Sequence, residues 1–254
     1  GNGMDTLSIV TGGTLSGAFD GEADSDTLTF AASTSPVTID LLAGSATGFS
    51  GTVSSITNDF SNVDSLVGSS VTGDTLNGLD VDSVWTVDTP NTYSNMTESV
   101  EFASFEALNG GSQEDTFNIR TAETVSLSGS NGNDSFNFEN DAASLTGSIS
   151  GGSGNNSLNF GGLTTVAASV TLTGNGGDGF AGTAGSLVSG GFDEIVTLTG
   201  GGSANDTLTG QNVSSTWEVN SAGDTYRDDS TGRVLDFSAF ENLTGGTLDD
   251  SFTV

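Results

Sequence analysis

The feature that most constrains the fold of this chain is a short motif, Asp-Ser/Thr-Leu/Phe, that recurs along its whole length. It occurs at Asp5, Asp26, Asp74, Asp115, Asp134, Asp206 and Asp250, with variants at Asn156 and Asp178. From Asp115 onward the steps are 19, 22, 22, 28 and 44 residues, the last being twice 22. A fixed period of this size is typical of solenoids, in which each repeat stacks on the next.

A longer repeat is superimposed on the short one. The stretch "DTLNGLDVDSVWTVDTPNTYS" (74–94) matches "DTLTGQNVSSTWEVNSAGDTYR" (206–227), and "FEALNGGSQEDTF" (105–117) matches "FENLTGGTLDDSF" (240–252). Trp85 is thereby equivalent to Trp217, and Asp5 to Asp134. The sequence predicts two tandem modules, residues 1–128 and 129–254. Because the first copy continues where the second stops, we expect the chain to be part of a longer array.

The alternation of residue types predicts strands. In "DTLTF" (26–30) and "DSFNF" (134–138) the apolar residues lie two apart and therefore share one face of a strand. Glycines interrupt the chain frequently, and no segment has a convincing helical period, so the predicted class is all-β.

Two all-β architectures fit these strands. The first is a parallel β-helix (β-solenoid) with about 22 residues per coil and about 11–12 coils, a rod roughly 55 Å long. The second is a pair of tandem β-sandwich domains, which explains the long repeat but does not require the short one. The short repeat therefore favours the β-helix.

Composition excludes several classes of partner. The chain has 33 acidic residues against three arginines, a formal net charge of −30, and no Lys, His or Cys. Nucleic acids and anionic membranes need cationic contacts, so neither is an expected partner. The usual zinc and copper ligands are absent, no apolar run approaches the roughly 20 residues of a membrane span, and no signal peptide is evident.

Stacked coils would align the motif carboxylates in a column. The candidate positions are Asp5, Asp26, Asp74, Asp115, Asp134, Asp178, Asp206 and Asp250. Unit charges 4–5 Å apart repel by about 1 kcal/mol in water and by more near a protein surface, so the column needs relief. One interpretation is bound Ca²⁺, which takes carboxylate and carbonyl oxygens. The other is that each Asp or Asn hydrogen-bonds its own turn.

Trp85 and Trp217 are candidate binding residues in equivalent strands. They could be core residues, or they could be exposed platforms that stack on sugars, with Tyr93 and Tyr226 nearby. The second interpretation would suit a carbohydrate-binding or polysaccharide-degrading β-helix, in which acidic pairs such as Asp228-Asp229 act on the glycan. Such pairs are expected by chance in so acidic a chain, and we predict that the protein is not an enzyme.

Several glycine-rich turns resemble those of RTX proteins. "GSNGNDSFNF" (129–138), "GNGMDTL" (1–7), "GGSGNNSL" (151–158) and "GNGGDGF" (174–180) are similar to the RTX nonapeptide, although here the unit does not recur every nine residues. The resemblance to that family implies calcium between successive coils.

The composition and long imperfect repeats resemble giant bacterial surface proteins, such as filamentous-haemagglutinin-like and RTX-type adhesins. This resemblance implies a structural or adhesive segment of an extracellular or cell-surface fibre. Its implied partners are neighbouring copies, further modules of the same chain, and a surface glycan.

Overall fold

The computed structural model describes residues 2–254, which are all-β and contain no helix. Within that range there is accordingly no helix able to cross a membrane. The chain forms two compact units, Gly1–Asp115 and Thr116–Val254. This boundary follows strand pairing, whereas the predicted boundary at residue 128 follows the sequence repeat. The two differ because residues 116–119, at the end of the first sequence copy, pair with residues 135–138.

Unit 1 contains twelve strands among its described residues. They are β1 (Thr6–Ser8), β2 (Phe19–Asp20), β3 (Thr27–Thr29), β4 (Thr38–Ser45), β5 (Gly48–Val53), β6 (Phe60–Val63), β7 (Ser65–Val67), β8 (Thr75–Asn77), β9 (Ser83–Val87), β10 (Asn91–Ser94), β11 (Ser99–Ala103) and β12 (Ala107–Asn109).

The remaining strands belong to unit 2, except that the first residue of β13 is the last residue of unit 1. They are β13 (Asp115–Ile119), β14 (Ala122–Glu123), β15 (Ser126–Ser128), β16 (Ser135–Phe138), β17 (Ser144–Leu145), β18 (Ile149–Ser150), β19 (Ser157–Asn159), β20 (Ser169–Asn175), β21 (Phe180–Thr183), β22 (Phe192–Ile195), β23 (Thr197–Thr199), β24 (Thr207–Thr209), β25 (Ser215–Glu218), β26 (Asp224–Asp228), β27 (Val234–Ser238), β28 (Asn242–Thr244) and β29 (Asp250–Thr253).

The strand order of unit 2 repeats that of unit 1. In unit 1 one sheet runs β1-β3-β7-β11-β10-β9 and the other β2-β6-β5-β4-β8-β12. In unit 2 the larger sheets run β13-β16-β19-β23-β27-β26-β25-β29 and β15-β18-β22-β21-β20-β24-β28, beside the short pair β14-β17. Neighbouring strands of a sheet that are far apart in sequence pair in parallel, as β16 does with β19 and β19 with β23. Strands that follow each other directly, such as β20 and β21 or β25 and β26, pair as antiparallel hairpins.

The spacing between paired strands is not uniform, which corrects the expectation of a constant coil length. Ser135 pairs with Ser157, but Ser157 pairs with Thr197, which lies nearly twice as far along the chain. The additional residues form the antiparallel strands β20–β22, which belong to the other sheet of the unit. The step from Asp206 to Asp250 is likewise not two equal coils, because these residues lie at strands of different sheets.

The core consists of apolar side chains stacked at matching positions of successive parallel strands. In unit 2 one such row is Phe117, Phe136, Leu158, Leu198 and Phe237. All five are buried, and burial of each side chain stabilises the fold by about 1.5–3 kcal/mol. The period-2 alternation of the motif places Ser, Thr and Asn on the opposite face, where they are partly exposed.

Candidate functional site

Most of the motif carboxylates form hydrogen bonds that connect successive parallel strands. In unit 1 the Oδ1 of Asp26 accepts the backbone amide of Asp5 at 2.8 Å, and the Oδ2 of Asp64 accepts the amide of Asp26 at 2.8 Å. In unit 2 the Oδ1 of Asn156 accepts the amide of Asp134 at 2.9 Å. Each side chain thus holds the strand one step back in the sheet. We call these bonds the carboxylate ladder.

The second sheet of unit 1 carries the same arrangement. Asp74 is fully buried, and its Oδ1 accepts the amide of Val37 at 2.6 Å while its Oδ2 accepts the amide of Ser69 at 2.6 Å. The amide of Asp74 in turn donates to Oε2 of Glu106 at 3.0 Å. The carboxylate of Asp74 therefore connects an earlier strand to its own turn, and its backbone amide connects that turn to the carboxylate that precedes the next strand.

The second sheet of unit 2 repeats this geometry. Oδ1 of the fully buried Asp206 accepts the amide of Ala168 at 2.6 Å, and its Oδ2 accepts the amide of Gly201 at 2.8 Å. The amide of Asp206 donates to Oε2 of Glu241 at 3.2 Å. Hydrogen bonds to a charged acceptor are worth about 1.5–3 kcal/mol each, so the ladder compensates the cost of burying the carboxylate.

Asp115 and Asp250 occupy equivalent positions and accept a serine hydroxyl. Asp115 accepts the Ser83 hydroxyl on Oδ1 and the Gly111 amide on Oδ2 at 2.7 Å. Asp250 accepts the Ser215 hydroxyl at 2.5 Å. Burial raises the pKa of Asp115 to about 6, and the hydrogen bonds from Ser83 and Gly111 only partly oppose this rise.

At Asp134 and Asp250 a glycine five residues before the acid makes room for the folded-back side chain. A Cβ on Gly129 would lie 2.1 Å from Oδ2 of Asp134, and one on Gly245 would lie 2.1 Å from Oδ2 of Asp250. Any larger residue there would displace the carboxylate. The glycine in "GSNGNDSF" is therefore required by close approach of the acid, and the stretch is a turn that places a ladder side chain.

The candidate positions differ in burial. Asp26, Asp74, Asp115, Asp134 and Asp206 are at most 1% exposed, Asp5 is exposed, and Asp250 is half-buried. Asp178 is exposed, as Asp5 is.

The expectation that Asp178 aligns with the other acids is wrong. It is exposed and lies in the turn between β20 and β21, which pair as an antiparallel hairpin. The residue five positions before it is Thr173 rather than glycine. The stretch "GNGGDGF" therefore forms the end of a hairpin and not a ladder turn.

Sequence reasoning missed three ladder residues. Asp64 begins a further Asp-Ser-Leu motif, and Glu106 and Glu241 precede Ala-Leu and Asn-Leu. A search that allowed Glu in place of Asp before a polar or small residue and Leu would have found all three. The longer Glu side chain reaches the amide of the preceding strand as the Asp side chain does.

Hydrogen bonds from backbone amides offset the burial of the carboxylates of Asp74 and Asp206. Among residues 2–254 no group of three or more acidic side chains is arranged to hold a metal ion. The buried oxygens that would bind calcium at Asp74 and Asp206 already accept backbone amides. Calcium at the motif positions stays the alternative interpretation, and the turn-forming interpretation has the hydrogen bonds in its favour.

Trp85 and Trp217 are both fully buried, which argues against the sugar-stacking interpretation and favours a core role. Each indole packs edge-to-face on the tyrosine of its own hairpin, Tyr93 at 4.5 Å and Tyr226 at 4.7 Å between ring centroids. Tyr226 also accepts the amide of Gln211 at 3.1 Å. Neither indole face is available to a glycan because the hairpins fold these rings inward.

A cleft of about 460 Å³ in unit 2 is lined in part by Asp228, which the sequence suggested only as part of an acidic pair. Burial acts to raise the pKa of Asp228, but hydrogen bonds from Ser230, Asn175 and Thr231 outweigh it and lower the pKa to about 2. Asn175 in turn accepts the side-chain amide of Gln211 at 3.1 Å. These side chains satisfy one another and fix the turn after β26.

No family model, curated protein or solved structure matches this chain. The ladder, the core rows and the composition are therefore the observations from which a function can be inferred.

Proposed function

We propose that this chain is a structural or adhesive segment of an extracellular bacterial fibre, built from tandem β-solenoid modules. In this proposal the two sheets of each unit are faces of one solenoid. Hairpins lengthen some of its coils, so that the coil length varies along the chain instead of staying constant.

The carboxylate ladder is the observation that carries the proposal. The same bond connects strands 21, 22 and 38 residues apart in sequence, at Asp5–Asp26, Asp134–Asn156 and Asp26–Asp64. The ladder hydrogen bond between neighbouring strands therefore forms regardless of the length of the chain segment between them. A junction of this kind allows coils to be added without a change of cross-section, as a fibre requires.

The outward face supports the same role. Asn137 receives a side-chain hydrogen bond from Asn159 at 3.2 Å and donates one to Asn118 at 3.1 Å, which extends the polar row along the sheet. With a net charge of −30, such a surface keeps a long fibre soluble because like charges repel. Neither calcium nor catalysis is needed for this role. A surface glycan and neighbouring copies remain the proposed partners, and the bacterial cell surface the proposed location.

Deletion of one coil tests the architecture. Removal of residues 135–156 joins Asp134 to Ser157 and leaves a complete Asp-Ser-Leu motif, with β13 facing β19 and β15 facing β22. A solenoid should refold around this deletion, because each coil contacts only its neighbours. Deletion of residues 135–145 is the control, since it removes half a coil and shifts the register.

We expect cooperative urea unfolding and native-like β circular dichroism for the whole-coil deletion, and neither for the half-coil deletion. Loss of folding in both would contradict the solenoid and favour tandem sandwiches. The fibre role has a separate test, in which antibodies against the chain should label intact cells of the source bacterium without permeabilisation. Labelling that requires permeabilisation would contradict the proposed location.

A further inference from the structure

The cleft that Asp228 lines in part contains hydrogen-bonding groups that the protein itself does not use. Its volume of about 460 Å³ lies within the range of small-molecule sites, about 300–1,000 Å³. Two of its lining side chains are almost enclosed by the protein, since Asp228 is 2% exposed and Gln211 is 4% exposed. Polar groups buried to this extent normally have hydrogen-bond partners, and the two residues differ in this respect.

The carboxylate of Asp228 is satisfied on both oxygens. Its Oδ1 accepts the backbone amide and the hydroxyl of Ser230 at 2.8 and 2.6 Å. Its Oδ2 accepts the side-chain amide of Asn175 at 2.7 Å and the hydroxyl of Thr231 at 2.9 Å. Because donors from the protein already surround both oxygens, this carboxylate has little capacity to hold a cationic ligand.

Gln211, in contrast, keeps one acceptor free. An ionised carboxylate only accepts hydrogen bonds, so Asn175 directs its NH₂ group to Asp228 and its Oδ1 to Gln211. The NH₂ group of Gln211 therefore donates to Asn175, at 3.1 Å, and its Oε1 points away from this bond. No donor within residues 2–254 reaches that Oε1. It is not an enclosed atom, so a ligand in the cleft can donate to it.

Threonine hydroxyls line the strands beside Gln211. Thr171 of β20 pairs with Thr209 of β24, and paired strands lie about 4.8 Å apart. Thr173 lies two positions further along β20 and shares the exposed face of Thr171. Within residues 2–254 the hydroxyls of these three threonines make no hydrogen bond. Each hydroxyl can therefore both donate to a ligand and accept from it.

We propose that this cleft binds a neutral sugar ring through its hydroxyl groups. The Oε1 of Gln211 needs a donor, which ionised phosphate and carboxylate groups lack, whereas sugar hydroxyls donate and accept as the threonines do. A net charge of −30 also disfavours an anionic ligand. The half-buried Val213 offers apolar surface to the C–H groups of the ring. The inference rests on the proposed adhesive function and names the place where a surface glycan binds.

Unit 1 lacks the central groups of this site at the equivalent positions. Leu79 is equivalent to Gln211, and Gly44 is equivalent to Asn175. Leu79 and Gln211 both donate their backbone amide to the tyrosine hydroxyl of the neighbouring hairpin, at 2.9 and 3.1 Å. Leucine is therefore compatible with the fold at this position. The proposal accordingly predicts sugar binding by unit 2 and not by unit 1.

Titration of the full chain, followed in ¹H–¹⁵N spectra, tests the site directly. The probes are the methyl glycosides of glucose, galactose, mannose and N-acetylglucosamine. We expect at least one of them to shift the side-chain amide resonances of Gln211 and Asn175 saturably, while the amide of Leu79 stays unchanged. Methylammonium chloride is the cationic probe and should not shift them. Added NaCl should leave the sugar affinity unchanged, because salt screens only interactions between charges.

Two substitutions test the groups that hold the sugar. Gln211→Leu should weaken binding about tenfold or more, and Thr209→Val should weaken it about fivefold, as expected for the loss of one hydrogen bond. Thr199→Val is the matched control and should have no effect, because Thr199 is likewise the half-buried last residue of a Thr-Leu-Thr strand, outside the cleft. Near-ultraviolet circular dichroism of Trp217 confirms that the variants fold.

The absence of a saturable shift with all of these glycosides would overturn the proposal. A response to methylammonium alone, or sugar binding that Gln211→Leu leaves unchanged, would overturn it as well. The coil deletion and the labelling of intact cells do not involve this cleft. Failure of the sugar site is therefore distinguishable from failure of the proposed fibre function.

Discussion

Replacement of Asp206 should show whether the carboxylate ladder holds the strands together through hydrogen bonds. Asp206→Ala leaves the buried amide of Ala168 and the amide of Gly201 without their acceptor. Each unsatisfied amide costs about 1–3 kcal/mol, so the free energy of unfolding should fall by about 2–6 kcal/mol. That is a large part of the roughly 5–15 kcal/mol that stabilises typical domains.

Asp206→Asn should cost less, about 1–3 kcal/mol, because its carbonyl oxygen still accepts one of the two amides. Asn156 shows that an amide side chain is compatible with the ladder. Asp178→Ala is the matched control, since it removes a carboxylate of the same sequence motif from an exposed turn. Its effect should stay within about 0.5 kcal/mol.

The assay is urea unfolding of the full chain, followed by circular dichroism, with the slope of the transition checked for constancy among variants. Each variant is measured in chelator and again in excess calcium. If the ladder acts through hydrogen bonds, the loss at Asp206 is the same in both conditions. An Asp206→Ala variant that costs no more than Asp178→Ala, or whose cost appears only when calcium is present, would refute a hydrogen-bonded ladder.

Three further predictions concern pH, packing and calcium. Burial raises the pKa of Asp115 to about 6, so the folded state binds this proton more tightly than the unfolded state does. The resulting stabilisation of the folded state is present below about pH 4 and is lost as the pH rises through 6. Asp115→Asn should remove this contribution, which is about 2–3 kcal/mol of the difference between the free energies of unfolding at pH 4 and pH 7, as measured by urea titration. A variant with the same difference as the wild type would contradict the prediction. Gly210→Ala should destabilise by about 1–3 kcal/mol in urea, because its Cβ would lie 2.8 Å from the Trp217 ring and 2.9 Å from that of Tyr226; wild-type stability would show that the rings move freely. Calorimetric titration of the chelated chain should show no saturable calcium binding and an unchanged melting temperature, since both carboxylate oxygens of Asp74 and of Asp206 already accept backbone amides; a calcium-dependent rise would instead support metal at the motif positions.

The local sequence determined which residues form strands and which of their faces is buried. The alternation in "DSFNF" sets the core side of β16, because successive side chains on a strand point to opposite faces. A glycine five residues before the acid accompanies the buried Asp26 and Asp134, where an added Cβ would lie 2.5 Å and 2.1 Å from a carboxylate oxygen, whereas Asp178 has Thr173 at that position. That glycine is visible in the sequence, but it does not by itself distinguish the two kinds of turn, because the equally buried Asp74 has Ser69 five residues before it.

Only the tertiary structure decided which strands meet and what each acid binds. Asp206 and Asp250 share a motif, yet Asp206 accepts the amide of Ala168 and Asp250 accepts the hydroxyl of Ser215. Likewise, Trp217 and Tyr226 carry no local sign that their hairpin folds inward. Alternation and turn chemistry act over a few positions, whereas the ladder joins strands 22 or 38 residues apart in sequence. The stacking of buried side chains across those distances selects the register, and a single local motif contains no information about its distant partner.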